Sequence, residues 1–306
     1  MIILPLRAQL VWLLITVSCY SLASEPAISP TTNTAIHAPR IIALAPHIVE
    51  LLFAIGAGKQ IIATSEFANY PVAAQKIPRV GNYLSLQLEK IVALKPDYII
   101  AWKNGSPAAD LAKLQQLGLH IIYSEPKTFD DIASELLRFG KLTGHQQRSM
   151  ALAQQFRQQL HAIIQRYQHK TKLLGFYELW SKPLMTIAQH SWPEQHLDIC
   201  GVTNPFINLP SAYPQVNTEQ VVSLPLQIII APISKKQPNN PTFSWQKWPM
   251  IPAVKYQQII TPDADQLHRM TLRALAELAR LCEQVDHVRQ FYQQQHNQSI
   301  STTTAR

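Results

Sequence analysis

The sequence predicts an α/β protein of two Rossmann-like lobes with parallel sheets, joined by one long helix, with a ligand cleft between the lobes. Three observations carry this reading. Short β-branched runs alternate with helical-period segments in both halves of the chain. No Gly or Pro interrupts the stretch from Gln146 to His169. One helix-and-strand unit recurs at a constant offset of 130 residues.

The chain begins with Arg7 ahead of an apolar run, Leu10–Val17, too short to span a bilayer as a helix. That pattern predicts a signal peptide over 1–23, cut after Ala23, with Ser21 and Ala23 as the small residues that signal peptidase requires. Lipidation at Cys19 is the lesser alternative, because Thr16 stands where a bulky aliphatic is needed. Residues 24–39, rich in Pro, Thr, Ser and Ala, are expected to be a flexible lead-in. The mature chain is therefore expected in the periplasm. There Cys200 and Cys282 are the two cysteines left, which predicts one disulfide, with two separate buried thiols as the alternative.

The N-terminal α/β lobe is expected over 40–145. Arg40–Ala45 reads as a strand ended by Pro46, and His47–Ile55 as a helix stopped by Gly56 and Gly58. Strands at Ile61–Phe67, Tyr98–Trp102 and Leu119–Tyr123 then alternate with helices over Leu86–Leu94, Ala108–Leu117 and Phe129–Phe139. A linking helix over 146–170 follows, with Leu152, Phe156, Leu160, Ile163, Ile164 and Tyr167 on its apolar face. Its uninterrupted stretch would run roughly 36 Å at the standard rise.

The C-terminal lobe, 171–290, repeats the alternation. Strands are expected at Lys172–Tyr177, Leu184–Ile187, Gln227–Ala231 and Gln257–Ile260, and helices near Gln195–Cys200, Thr218–Leu224 and Gln266–Val285. The polar tail over 291–306 is expected to be disordered.

Leu88–Leu94 followed by Ile99-Ile100-Ala101 matches Thr218–Leu224 followed by Ile229-Ile230-Ala231. Each copy opens with an acid, Glu89 or Glu219, near a helix N-terminus where it offsets the macrodipole. The dipole accounts for an acid in the first turn but not for the shared register.

Composition narrows the function. With 47% apolar and 15% charged residues the chain has the makings of real cores, and no later run is long enough to cross a membrane. The net charge of +8 is spread along the chain without aromatic interleaving, which argues against nucleic acid and for a solvated surface. Gly56-Ala57-Gly58-Lys59 is a helix stop rather than a phosphate loop, since Phe53 and Gln60 occupy the positions of the first glycine and the metal-binding hydroxyl. No nucleophile elbow, zinc-protease pair or Cys-x-x-Cys occurs, so hydrolase and zinc-enzyme chemistry have no anchor.

Ligands of open parallel sheets bind beyond the carboxyl ends of the strands. Loops there supply Pro46 and His47, the apolar or flat side chains Phe67, Tyr83, Trp102, Met185 and Tyr213, and the polar pair Asp265 and Arg269. Asp265 and Arg269 stand one helical turn apart, so a purely local i,i+4 pair is the competing reading.

With Ala43-Leu44-Ala45-Pro46, Asn69-Tyr70-Pro71, Leu88–Asp97 ending in Ala101-Trp102, Pro214-Gln215-Val216 and Leu281-Cys282, the sequence resembles the periplasmic cobalamin-binding proteins of ABC importers, within the helical-backbone class of solute-binding proteins. The resemblance spans about Arg40 to Asp286. It implies capture of cobalamin or a related corrinoid as transported ligand, no resident cofactor, a monomer, and delivery to an ABC permease at the inner membrane. It carries the disulfide onto Cys200 and Cys282 and two permease-docking acids onto Glu89 and Glu219. An aromatic pocket falls on Phe67, Tyr83, Trp102 and Tyr213, with Met185 where the family often has Phe, and amide contacts fall on Asp265 and Arg269. A corrin is a broad apolar disc fringed with amides, which suits flat walls and a few polar groups.

The rival ligands are haem, a siderophore or a metal ion. His47 follows the first strand, and His120 or His190 could approach it, yet their spacing does not require a metal cluster. A chelatase acting on a tetrapyrrole is the alternative from another class; it needs a base and metal ligands facing across the cleft.

Overall fold

The computed structural model describes residues 38–234 and 243–304. The expected signal peptide and all but the end of the lead-in lie outside the described residues.

The first lobe runs β1 (Ile41–Ala43), α1 (Pro46–Ile55), β2 (Ile61–Thr64), α2 (Leu88–Ala93), β3 (Tyr98–Trp102), α3 (Ala108–Gln116), β4 (Ile121–Ser124) and α4 (Phe129–Thr143). Its four strands are all parallel, in the order β2-β1-β3-β4. Buried Ile and Ala fill β1 on both faces, as a strand covered by helices requires. Pro46 opens α1, where its missing N–H is no loss, and Gly56 closes it at φ 96°, its N–H turned back to the Leu52 and Phe53 carbonyls. Thr128 and Asp131 form a reciprocal capping box on α4.

The linking helix α5 spans Gln146–Tyr167 and packs along α4. The second lobe follows with β5 (Leu173–Tyr177), β6 (Trp180–Ser181), β7 (Leu184–Met185), α6 (Glu194–Cys200), β8 (Val202–Thr203), α7 (Thr218–Val222), β9 (Ile228–Ile230), α8 (Pro252–Lys255), β10 (Ile259–Ile260), α9 (Ala264–Leu267) and α10 (Leu272–Thr304). Its parallel sheet has the order β10-β9-β5-β8, and β6 and β7 form a separate antiparallel hairpin.

Both sheets have one winding. The first strand, β1 or β5, lies between the second (β2 or β8) and the third (β3 or β9), and the fourth lies beyond the third. The repeated sequence units occupy equivalent places, α2 before β3 and α7 before β9. The order reverses beside β1 and β5, so each sheet has its switch point there.

Two expectations are corrected. The helix expected over Gln266–Val285 is two helices: the Asp263 carboxylate accepts from the Asp265 N–H at the start of α9, and the Thr271 hydroxyl accepts from the Arg273 N–H where α10 begins. The tail over 291–306, expected to be disordered, continues α10 as far as Thr304. Gln is a good helix former, so a Gln-rich extension can prolong a helix already anchored by its buried N-terminal turns.

The lobes share one core. Phe129 of α4 packs on Trp192 ahead of α6 with ring centroids 4.9 Å apart, and Cys200 is bonded to Cys282, fastening α6 to α10. The disulfide expected from the cysteine count is therefore present.

Candidate functional site

A cavity of about 510 Å³ opens between the lobes at the carboxyl ends of both sheets. The first lobe contributes Trp102, the last residue of β3, with Asn104, Glu125 and Lys127 from neighbouring loops; the second contributes His190, Trp192, Tyr213 and Met270.

Trp102 packs against His47 and Gly105. His47 meets it edge-on at 5.7 Å between centroids, and its Nε2 lies 3.3 Å from the Ser124 hydroxyl at the end of β4. Gly105 also abuts it: a Cβ there would stand 1.8 Å from the indole ring, so only glycine leaves room for the ring. Burial, with a smaller contribution from the Arg269 guanidinium, lowers the His47 pKa to about 3. His47, considered from the sequence as a metal ligand, is buried and packs edge-on against Trp102. Among the described residues no three His, Cys, Asp or Glu side chains are grouped to hold a metal ion.

Tyr213 lines the same cavity from the second lobe, and its hydroxyl accepts from the Trp192 backbone N–H at 3.4 Å. The indole N–H of Trp192 donates to the Leu267 carbonyl at 2.9 Å. The polar rim centres on Glu125, bonded to Lys103 at 2.9 Å and Asn104 at 3.1 Å, with Lys127 at 3.4 Å. Hydrogen bonds from Lys103 and then Asn104 hold its carboxyl below the usual range, so the rim presents both donors and an ionised acceptor.

The structure thus brings Trp102 and Tyr213 to one cavity, whereas Phe67, Tyr83, Met185, Asp265 and Arg269 are not among the residues that line it. Phe67 and Tyr83, on the long connection between β2 and α2, are both exposed, and Phe67 adopts φ 65°. A bulky side chain in the left-handed region is a strained arrangement of the kind that gathers at binding sites. Met185 lies in β7, half-buried.

Asp265 and Arg269 meet at 3.5 Å, but Arg269 also reaches the first lobe, donating to Asn69 Oδ1 at 2.9 Å and Glu50 Oε1 at 3.2 Å. Ser234 donates to Asp265 at 2.8 Å. Glu50 further accepts two hydrogen bonds from Arg273, at 2.9 and 2.5 Å, and Arg273 stacks on Tyr70 at 4.1 Å. The sequence reading gave Glu50 no role. Its signal was legible, since it is the sole charged residue within Pro46–Ile55.

Glu89 and Glu219 are the second residues of α2 and α7, both exposed, at corresponding points of the two lobes.

The comparisons with known proteins agree with this fold. A family model described as periplasmic binding protein matches residues 41–266. A vitamin B12-binding protein of Vibrio vulnificus strain CMCP6 is 38% identical over 253 residues, 82% of this chain and 91% of that one. The crystal structure of the periplasmic vitamin B12-binding protein BtuF of Vibrio cholerae superimposes with a TM-score of 0.75 at 36% identity, covering 82% of this chain and 98% of that one. The periplasmic haem-binding protein HutB of Vibrio cholerae, at 19% identity and a TM-score of 0.69 over 80% of this chain and 98% of that one, shares the fold.

Proposed function

Because the chain belongs to the periplasmic binding protein family, we propose that it captures cobalamin or a related corrinoid and delivers it to the permease of an ABC importer. The observation that carries this is the cavity walled by Trp102 from one lobe and Tyr213 from the other, with a mixed polar rim. Two flat rings suit the faces of a planar macrocycle, and Asn104, Glu125 and Lys127 suit amide side chains at its edge. Relatives named for vitamin B12 support the same ligand.

In this reading Met1–Ala23 is a removable export signal, Phe67, Tyr83 and Met185 extend the apolar contact, and Asp265 and Arg269 reach the amide fringe. Glu89 and Glu219 meet basic residues of the two permease halves; two matching acids on a duplicated carrier suit a two-fold symmetric entrance.

Calorimetric titration of the purified chain with cyanocobalamin, dicyanocobinamide and haemin tests the proposal. A single corrinoid site is expected, weakened by more than about 1 kcal/mol in Trp102→Ala as for a buried aromatic anchor. Binding of haemin with no corrinoid heat would overturn it.

A further inference from the structure

We propose that Trp180 is a ligand-contacting side chain, supplying on the second lobe the aromatic wall that Met185 does not. The assignment rests on the corrinoid reading and adds to it a residue outside the expected pocket.

The β6–β7 hairpin pairs Trp180 with Met185 and Ser181 with Leu184. Directly opposed residues of an antiparallel pair share a face, and neighbours along each strand alternate. Leu184 is buried in the second lobe's core, so Trp180 and Met185 occupy the opposite face. The same face continues into the next segment. Met185 forms an antiparallel bridge with Gln215, and Tyr213, two residues before Gln215, is exposed like it while Pro214 between them is buried. Trp180, Met185, Gln215 and Tyr213 therefore line one surface, and Tyr213 belongs to the cavity.

This surface is fixed before any ligand arrives. The Leu179 N–H donates to the Met185 carbonyl at 2.9 Å, the Thr186 hydroxyl to the Tyr177 carbonyl at 2.8 Å, and the Thr186 N–H to the Pro214 carbonyl at 3.0 Å. The Trp180 indole N–H is bonded to the Lys182 carbonyl at 2.8 Å, which holds the ring over the turn. Even so, Trp180 is 49% exposed, and among the described tryptophans it alone is classed with the exposed residues. A tryptophan positioned by its own N–H yet left half in water offers a rigid apolar face at little further entropic cost, as an aromatic binding residue should.

The test uses the full mature chain with cyanocobalamin, read by calorimetry and by tryptophan fluorescence quenching. Trp180→Ala is expected to weaken binding by about tenfold, as a central aromatic contact would. Trp180→Phe is expected to keep affinity within about threefold while losing the share of quenching due to Trp180, and adding Met185→Phe to Trp180→Ala should recover most of the loss, since either ring can serve one wall. Unchanged affinity in Trp180→Ala overturns the assignment alone. So does ligand-induced quenching in Trp180→Phe equal to wild type, a readout that stands even where Trp180→Ala folds poorly. Failure of the wild-type chain to bind any corrinoid overturns the ligand reading, and this assignment with it.

Discussion

Replacing Glu50 by Gln tests how the two lobes are fixed to one another. Glu50 belongs to the first lobe and its side chain is only 4% exposed, yet its charge is balanced by Arg269 and Arg273, both from the second lobe. The substitution keeps the volume of the side chain but removes its charge and leaves one oxygen in place of two for three hydrogen bonds. Breaking a buried ion pair from one side costs about 3–5 kcal/mol. The two arginine side chains retain 16% and 22% exposure, so water recovers part of their solvation and the lower end, about 3 kcal/mol, applies. For a chain of this size that is a fall of about 6–12 °C in Tm. Calorimetry and urea unfolding measure it. Because Arg273 also stacks on Tyr70, a cycle of Glu50→Gln, Arg273→Met and the double variant isolates the pair, with a coupling of at least about 1 kcal/mol expected. A loss below about 0.5 kcal/mol, the range of an exposed pair, would refute the view that this contact clamps the lobes.

Further outcomes follow from the same structure. Cys200 and Cys282 close a loop with a sequence separation of 82, so replacing both by Ser should cost about 4.5 kcal/mol in urea unfolding; a loss under about 1 kcal/mol would contradict that loop-entropy account. Glu89→Ala with Glu219→Ala should abolish corrinoid uptake by cells while calorimetry shows capture unchanged, and loss of capture would move these acids into the pocket. Burial chiefly lowers the pKa of His47 and His196 to about 3 and of His268 to about 4, so these imidazoles stay neutral when folded and their unfolded counterparts take protons below about 6.5. Stability should therefore fall as pH drops from about 6.5 towards 4, with a slope approaching 4 kcal/mol per pH unit, and a pH-independent urea midpoint over that window would contradict it.

The sheets were legible because a parallel strand buried on both faces is a run of β-branched residues that little else produces; Tyr98–Trp102 is a strand over the whole expected range. The duplication was legible because Leu88–Leu94 and Thr218–Leu224 keep the same register, and the matching strand orders bear it out. The hairpin of Trp180–Ser181 and Leu184–Met185 was not fully anticipated, since two-residue strands are too short to show a period. The interruption between Leu267 and Leu272 also escaped, because no Gly or Pro marks it; the Thr271 hydroxyl, accepting from the Arg273 N–H, stands where the helix restarts.

The cavity was legible through the residues that end or follow strands, Trp102 and Tyr213, and not through Trp192 or Met270, which reach it by packing between the lobes. Arg269 shows why. Its four-residue spacing from Asp265 reports a local neighbour but carries no information about Glu50 and Asn69, 219 and 200 positions away along the chain, which only the folded lobes bring within reach. The two roles of Arg269 are compatible, since a guanidinium has five N–H donors and three hydrogen bonds hold it to Glu50, Asn69 and Asp265. Those bonds fix the plane of the group, so any donor it offers a ligand is already aimed. The Glu50→Gln variant separates the possibilities: a clamp that also touches the ligand loses affinity together with stability, whereas a clamp alone loses stability and keeps its affinity.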